Sequence, residues 1–391
     1  MPKQNIYQLD ERELIDQVAQ WGFTREAGAA IWRCLHRDAP GSIQQVLGVP
    51  AALVQRLDEA YEITPVVADG QIGASHEGVL KYLLRLTDGV QIETVLLWYG
   101  RRRSGCISTQ VGCACGCPFC ATGQTGYVRD LTRGEIVGQV MFLQRELHAV
   151  GEALTNVVLM GMGEPLLNYT NTIGAIRRIV DRRGLALAER RVTLSTVGVV
   201  PGIDRLAREP LSVKLAVSLH AASDELRDRL VPLNRKYPLD ALFRSIGDYV
   251  ALTGRRVLLE WVMIDGVNDT REQAEELAYR AQGLHVHLNA IRLNETPGNK
   301  WRPSSVERID AFTAILDEYG VPHTLRQSRG ASVAAGCGQL RGSRQGVRTT
   351  PDQSAFAGSR ASEDPVLDEG RVSLDVPSGT AGEAHVEDPQ I

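Results

Sequence analysis

The sequence lacks long apolar runs. None of its 391 residues lies in an apolar stretch that approaches the roughly 18 residues needed to cross a bilayer. The first ten residues also lack the apolar segment of a secretory signal peptide. Apolar residues make up 43% of the chain and charged residues 23%, as in globular proteins. We therefore expect a cytoplasmic protein that makes no contact with a membrane.

The chain also lacks the even, dispersed set of cysteines that a disulfide framework would need. It has seven cysteines, and five of them fall between Cys106 and Cys120. An odd, clustered set in a cytosolic protein favours metal or redox chemistry over structural disulfides.

Positive charge is scarce at the end of the chain. Residues 351–391 hold nine acids against Arg360 and Arg371, a balance of −7, and they contain few large apolar residues. This composition predicts an unfolded acidic tail. The preceding residues carry a net charge of +3, although the whole chain carries −4. A mildly basic body suits a nucleic-acid substrate.

Hydrophobic periodicity divides the rest of the chain into three parts. Residues 10–62 have helical spacing, and a hairpin with its turn at Asp88-Gly89 follows them. From about residue 104 to 340, strand-like and helix-like segments alternate. Six successive β/α units predict an α/β fold whose parallel sheet curls into an open barrel. The predicted strands are Cys106–Gln110, Asn156–Met160, Arg191–Ser195, Ser212–Leu219, Val257–Ile264, His285–Leu293 and Thr324–Gln327.

The most informative segment is Gly-Cys-Ala-Cys-Gly-Cys-Pro-Phe-Cys, which begins at Gly112. Cys113, Cys117 and Cys120 form a C-x3-C-x2-C pattern directly after the first predicted strand. Three thiolates held this close can ligate three irons of a four-iron, four-sulfur cluster and leave the fourth iron open. The alternative is a structural zinc site with Cys115 as fourth ligand, although such sites usually join two separated cysteine pairs.

Further polar residues lie at the carboxyl ends of the predicted strands. Barrel enzymes build their sites on this face, so the side chains are expected to meet. Each residue alone would also fit a cap or a loop hydrogen bond. The polar residues are Glu164, Ser195, Ser218, His220 and Asn294, and Gly163 and Leu219 lie beside them in the same segments.

These motifs together resemble a known family. The cysteine pattern with Phe119 before its last cysteine is similar to the radical S-adenosylmethionine superfamily. The run from Cys106 to Cys113 and the late segment Gly-Cys-Gly-Gln-Leu around Cys337 narrow the resemblance to the RlmN family of RNA adenine C2 methyltransferases. It implies a partial (β/α)6 radical-SAM barrel at 101–345 and a hairpin extension at 66–100. It also implies a helical, RNA-binding accessory domain at 1–65, and it leaves 346–391 as the acidic tail.

The resemblance implies a role for each candidate residue. Cys113, Cys117 and Cys120 would hold one four-iron, four-sulfur cluster. The seven residues named at the carboxyl ends of the predicted strands would bind S-adenosylmethionine. Cys337 would carry the methyl group, and Glu93 would accept a proton from the ring. Cys106 would then attack the sulfur of Cys337 and leave a disulfide.

The same resemblance implies the reaction partners. Two equivalents of S-adenosylmethionine are consumed per turnover by a monomer that a donor such as flavodoxin reduces. The substrate is an adenine of 23S rRNA, with tRNA as a further candidate, turned out of its stack to reach the pocket. Arginines that suit phosphate contacts are Arg101, Arg102, Arg103, Arg177, Arg178, Arg182, Arg183, Arg190 and Arg191.

Two other functions fit parts of the sequence. A C8 adenine methyltransferase would use the same parts on a different carbon. A non-catalytic iron–sulfur protein, for RNA binding or electron transfer, would need a fourth cluster ligand and no S-adenosylmethionine pocket. Cys115 is additional to the family pattern and could compete for iron.

Overall fold

The computed structural model describes residues 3–63, 67–74, 78–296, 298–326 and 334–340. The predicted tail and Gln327 lie outside these ranges. No helix in the described ranges is both long and apolar enough to cross a membrane. The α-helices are α1 (Glu11–Gln20), α2 (Arg25–Arg33), α3 (Ala51–Ala60), α4 (Ala121–Thr125), α5 (Arg133–His148), α6 (Tyr169–Ile179), α7 (Val200–Ala207), α8 (Asp224–Leu230), α9 (Leu239–Thr253), α10 (Arg271–Ala281) and α11 (Val306–Glu318). The strands are β1 (Gln4–Asn5), β2 (Tyr61–Glu62), β3 (Val67–Ala74), β4 (Val79–Arg85), β5 (Gln91–Tyr99), β6 (Arg102–Cys106), β7 (Gln110–Gly112), β8 (Tyr127–Asp130), β9 (Asn156–Leu159), β10 (Val192–Thr196), β11 (Lys214–Ser218), β12 (Val257–Met263), β13 (Val286–Arg292) and β14 (His323–Arg326).

A mixed sheet of ten strands forms the centre of the described chain. Its order is β14-β13-β12-β11-β10-β9-β6-β5-β4-β3. The seven strands from β14 to β6 are parallel, and helices connect them as six β/α units. Strands such as β12 are buried along nearly their whole length, as expected of a parallel sheet whose two faces are both covered. In the described chain the sheet ends at β14 and β3, in agreement with an open barrel.

The hairpin region extends this sheet rather than standing beside it. Strands β3, β4 and β5 are antiparallel and continue the ladder from β6. The sequence predicts two strands here and a parallel sheet, so β3 and the mixed character of the sheet are corrections. Val95 lies opposite Cys106 in the β5–β6 ladder, which places the extension directly beside the first parallel strand.

The first parallel strand also lies earlier than the predicted Cys106–Gln110. Pairing of Trp98 with Arg103 continues the β5 ladder through a tight turn, so the arginine run enters β6. Gln110–Gly112 instead pairs with β8 as a separate two-stranded ribbon. The cysteine motif therefore lies between the two strands of this ribbon and does not follow the first barrel strand directly.

The N-terminal helices pack against the outer side of α5 and α6. The guanidinium of Arg178 lies 5.1 Å from the centre of the Trp32 ring, and the backbone N–H of Gly134 donates to Gln8 Oε1 at 2.8 Å. Tyr7 and Trp32 are almost fully buried. The division of residues 1–65 from the barrel as an accessory domain stays a prediction.

Candidate active site

One cavity gathers most of the residues predicted from the sequence. It lies at the carboxyl ends of the parallel strands, the face on which the polar residues were expected. Leu219, Glu93 and Cys106 are not among its lining residues. The predicted residues that line it are Cys113, Cys117, Cys120, Gly163, Glu164, Ser195, Ser218, His220, Asn294 and Cys337.

A tight ribbon positions the cysteine loop. Gly112 has a φ of 77°, and a Cβ at this position would overlap the carbonyl oxygen of Gly126 on the partner strand. The N–H of Cys113 donates to the same oxygen at 3.0 Å. Cys120 then caps the start of α4 and donates its N–H to Cys117 O at 3.1 Å. The short loop between these two points turns all three predicted ligands toward the cavity.

The donor set around this loop fits an iron–sulfur cluster in its chemistry. Burial raises the pKa of the Cys120 thiol, and it raises that of Cys117 still further. Thiols in such surroundings become thiolates when a metal binds them. In the described residues no three His, Cys, Asp or Glu side chains meet where one metal ion would bind. A four-iron cluster has separate irons, so its cysteine ligands need not converge on one point.

Cys115 is a fourth thiol in the same loop. It is almost fully buried and lines the cavity. A hydrogen bond that its thiol donates to the Cys113 side chain, together with burial, raises its pKa well above the usual range. All seven cysteines are free in the structure, so Cys115 is not tied up in a disulfide.

Glu164 is a buried carboxyl at the end of the second parallel strand. It accepts hydrogen bonds from Leu166 N at 3.0 Å and Val197 N at 2.8 Å, yet burial raises its pKa to about 7. Gly163 has a φ of 100°, and a Cβ there would lie 2.5 Å from Gln110 Cβ. Glycine is therefore required to bring this carboxyl to the cavity wall.

His220 faces the cavity as a neutral hydrogen-bond donor. Its backbone has a φ of 61°, in the left-handed region. Its Nδ1 accepts the N–H of Val262 at 3.1 Å, and burial, with the nearby Arg227, lowers its pKa to about 3. The proton of the neutral ring is therefore on Nε2. Because the Phe119 ring packs edge-on at 5.0 Å, the imidazole has one fixed orientation.

Leu219 lies behind the cavity wall. Its side chain is fully buried, and its backbone N–H donates to Glu260 O at 2.9 Å. Arg227, also buried, donates to the carbonyl oxygens of Val197, Ser218 and Leu219. The guanidinium thereby ties the ends of β10 and β11 together.

The segment around Cys337 closes the cavity from the other end of the chain. Asn294 Nδ2 donates to Cys337 O at 3.1 Å, and Gln339 Nε2 donates to Glu295 O at 2.8 Å. On the opposite side, Ala121 N donates to Gly338 O at 2.7 Å. The predicted methyl carrier is thus anchored between the end of β13 and the cluster loop, and Asn294 has a partner that the sequence does not indicate.

The two remaining catalytic candidates lie on the neighbouring strands β5 and β6, outside the lining of the cavity. Cys106 ends β6, and burial and the charge of Cys337 both raise its pKa, to about 12. The two sulfur atoms are therefore close enough for their charges to interact. Glu93 lies on β5, buried, with its Oε1 2.9 Å from Lys81 Nζ. Lys81 and Glu260 were not predicted from the sequence, and Glu260 is a buried acid that lines the cavity. The signal that could have found them is that each is a charged residue in a mostly apolar strand.

Several of the arginines that were predicted to contact phosphate are paired with acids or buried in the structure. Arg103 forms two hydrogen bonds with Glu152, and Arg177 Nη2 lies 2.6 Å from Glu209 Oε2. Arg183 pairs with Glu11, and Arg178 is buried. The predicted phosphate contact is wrong for Arg178, because α6 turns that residue onto Trp32 rather than outward.

The fold and the cavity define the class of protein, a radical S-adenosylmethionine enzyme. A sequence profile described as the Radical SAM superfamily matches residues 107–278, and membership implies a four-iron, four-sulfur cluster and S-adenosylmethionine. The crystal structure of a radical SAM methyltransferase from Sphaerobacter thermophilus has a TM-score of 0.84 at 45% identity, and the match covers 86% of this chain and 99% of that one.

Sequence relatives narrow the class to a family. "Dual-specificity RNA methyltransferase RlmN 1" of Myxococcus xanthus is 46% identical over 343 residues, or 86% of this chain and 94% of that protein. "Probable dual-specificity RNA methyltransferase RlmN" of Dictyoglomus thermophilum is 42% identical over 339 residues, or 86% and 96% of the two chains. The chain belongs to the RlmN family of dual-specificity RNA methyltransferases.

Proposed function

We propose that this enzyme methylates C2 of an adenine in RNA through a methyl group carried on Cys337. One observation carries the proposal: the cavity that contains Cys113, Cys117 and Cys120 also contains Cys337, more than 200 residues later in the chain. The names of the two relatives supply the RNA substrate. We infer 23S rRNA as substrate, with tRNA as the second substrate.

The cavity residues divide into two groups. Cys113, Cys117 and Cys120 would hold the cluster, and Glu164 and His220 are placed to pair with the charged end of S-adenosylmethionine. When bound, the cluster and S-adenosylmethionine would supply the radical chemistry that removes a hydrogen atom from the methyl group on Cys337. Two equivalents of S-adenosylmethionine are then needed, because one supplies the methyl group and the other the radical.

Side chains of the protein carry out the remaining steps. Glu93 accepts the proton that leaves C2 once the methylene carbon is bound there, and the unpaired electron of the radical adduct would return to the cluster, which leaves a closed-shell thioether. The thiolate of Cys106 attacks the sulfur of Cys337, and the sulfur–carbon bond breaks. The carbon keeps the electron pair and takes up a proton to become the methyl group. The sulfurs form a disulfide, which must be reduced before the next turnover.

The test is anaerobic reconstitution followed by methylation of RNA with a labelled donor. Mass spectrometry of the digested RNA should show 2-methyladenosine. Detection of 8-methyladenosine would instead show that the enzyme methylates C8. Failure to cleave S-adenosylmethionine would favour a non-catalytic iron–sulfur protein. Cys337→Ala should abolish methylation with normal iron content, and Cys106→Ala should accumulate a protein–RNA adduct.

The cellular setting is also part of this proposal. We infer a cytoplasmic monomer that a flavodoxin-like donor reduces. The supporting observation is that one chain supplies all the cavity residues named above. Size-exclusion chromatography with light scattering checks the monomer, and substitution of the chemical reductant by reduced flavodoxin checks the donor.

A further inference from the structure

Lys81 is a buried lysine that the reaction described above does not use. It lies in the middle of β4, and its side chain and that of Glu93 are each 9% exposed. Nζ lies 2.9 Å from Glu93 Oε1. A lysine is almost never buried unless it is paired, because removing its charge from water costs several kcal/mol. The ammonium therefore has a specific role at this position.

The register of the sheet places this ion pair beside a reactive sulfur. Lys81 lies opposite Val95 in the β4–β5 ladder, and Val95 lies opposite Cys106 in the β5–β6 ladder. Directly paired residues share a face of the sheet. Glu93, two residues before Val95, lies on that same face and is a diagonal neighbour of both Lys81 and Cys106.

Lys81 also contacts the segment that carries Cys337. Its Nζ donates to Ala334 O at 3.1 Å. Ala334 has a φ of 49°, a conformation that residues other than glycine rarely adopt. This hydrogen bond comes from the sheet extension, whereas the contacts of Asn294 and Ala121 reach the same segment from two other sides.

We propose that Lys81 is a positioning residue that holds the Glu93 carboxylate and the Cys337 segment in one arrangement. The proposal rests on the proposed function, since it assumes that Glu93 accepts the C2 proton and that Cys337 carries the methylene group. One ammonium bonded to both groups fixes the distance between the base and the carbon bound to Cys337. Proton removal from the adduct depends on this distance. Methylation of Cys337 precedes that step and does not involve Glu93.

The experiment compares Lys81→Met, Lys81→Arg and the control Lys214→Met in the reconstituted holoenzyme. Lys214 is an exposed lysine at the start of β11, at the opposite end of that strand from the cavity. Lys81→Met should keep its iron and its methylation of Cys337 within about twofold of wild type. Its turnover on RNA should fall by about 100-fold while the covalent protein–RNA adduct accumulates, because a small misplacement of the base has such an effect. Lys81→Arg should recover at least about a tenth of the wild-type turnover, and Lys214→Met should match the wild type.

A second measurement does not depend on turnover. Amide hydrogen exchange of residues 334–340 in the holoenzyme should be faster in Lys81→Met than in wild type or Lys214→Met. If Lys81→Met destabilises the fold, the double variant Lys81→Met/Glu93→Gln removes both charges, restores the fold and permits the same exchange measurement. Unchanged exchange in the folded variant would overturn the anchoring role.

The two hypotheses fail in different ways. Wild-type enzyme that methylates no RNA would refute the proposed function, yet the exchange result would still decide whether Lys81 anchors the segment. Active wild-type enzyme with a fully active Lys81→Met variant would refute the role of Lys81 alone. Loss of adduct formation together with turnover, at normal iron content and stability, would also contradict it, because the block would then precede proton removal.

Discussion

Two buried ionisable side chains at the cavity wall have pKa values shifted toward their neutral forms. Burial raises the pKa of Glu164 to about 7 and lowers that of His220 to about 3. In both cases the low-dielectric surroundings disfavour the charged form. The cavity therefore has a group that becomes an anion when a cationic ligand enters, next to a donor that stays neutral.

The pKa of Glu164 predicts a pH dependence of cofactor binding. Below pH 7 the carboxyl is mostly protonated and must lose its proton before it can pair with the ammonium of S-adenosylmethionine. The affinity of the holoenzyme should thus rise by roughly tenfold from pH 5.5 to 7, a range in which the amino group of the ligand stays protonated. Anaerobic isothermal titration calorimetry measures it. Glu164→Gln should bind more weakly and without this slope, and a flat wild-type profile would contradict the assignment.

The buried guanidinium of Arg227 is expected to stabilise the folded protein. Its removal would leave three strand-end carbonyl oxygens and Asn234 Oδ1 without this donor. Arg227→Met should lower the free energy of unfolding by about 3 kcal/mol, the cost of buried acceptors left unpaired. Differential scanning calorimetry of the purified protein measures the change. Arg229→Met, two residues further along the same helix at an exposed position, is the control and should be near neutral.

At the scale of elements, the β7–β8 ribbon determines where the cluster loop begins. Gly112→Ala would place a methyl group on Gly126 O, so the ribbon could not form as observed. Iron content after reconstitution should fall to less than about a third of wild type, since metal binding and local folding are coupled. Gly116→Ala is the matched control. It has a φ of 64° but open space around its Cβ position, so it should cost only about 1 kcal/mol of backbone strain and retain iron. Equal iron content in both variants would contradict the role of the ribbon at Gly112 in cluster binding.

The elements show what the sequence could and could not predict. Alternating apolar segments were sufficient for six β/α units, because each strand and helix buries a continuous face. The start of β6 was missed, since its arginines pair across the ladder with Trp98 and Tyr99, and local charge gives no sign of this. Helices α4 and α8 were missed because they have only five and seven residues, too short for a periodic pattern.

The candidate site also contains residues that the sequence could predict and residues that it could not. Cys113, Cys117 and Cys120 were predictable because their spacing alone brings the thiols together. Lys81 and Glu260 were not, since their contacts depend on strand register that no local pattern specifies. Asn294 illustrates the intermediate case. Its place after β13 was foreseen, but its hydrogen bond to Cys337 O joins residues 43 positions apart.

For the whole molecule, charge is divided between the body and the end of the chain. The first 350 residues carry +3 and residues 351–391 carry −7. Several arginines of the body are already paired with acids, so the remaining positive field is weak. The negative charge of residues 351–391 repels RNA phosphates and so weakens the attraction between the chain and RNA, with a range set by the Debye length of about 10 Å at 0.1 M salt.

Removal of residues 351–391 should therefore strengthen RNA binding in a salt-dependent way. At about 50 mM salt the truncated enzyme should bind RNA roughly three- to tenfold more tightly than the full chain. The difference should fall below about twofold near 300 mM, where screening is strong. Fluorescence anisotropy with a labelled RNA hairpin measures both affinities. A full-length variant with all nine acids of the segment replaced by Asn or Gln separates charge from chain length. If that variant binds like the wild type while the truncation binds tightly, the segment acts by occupying space and not by its charge.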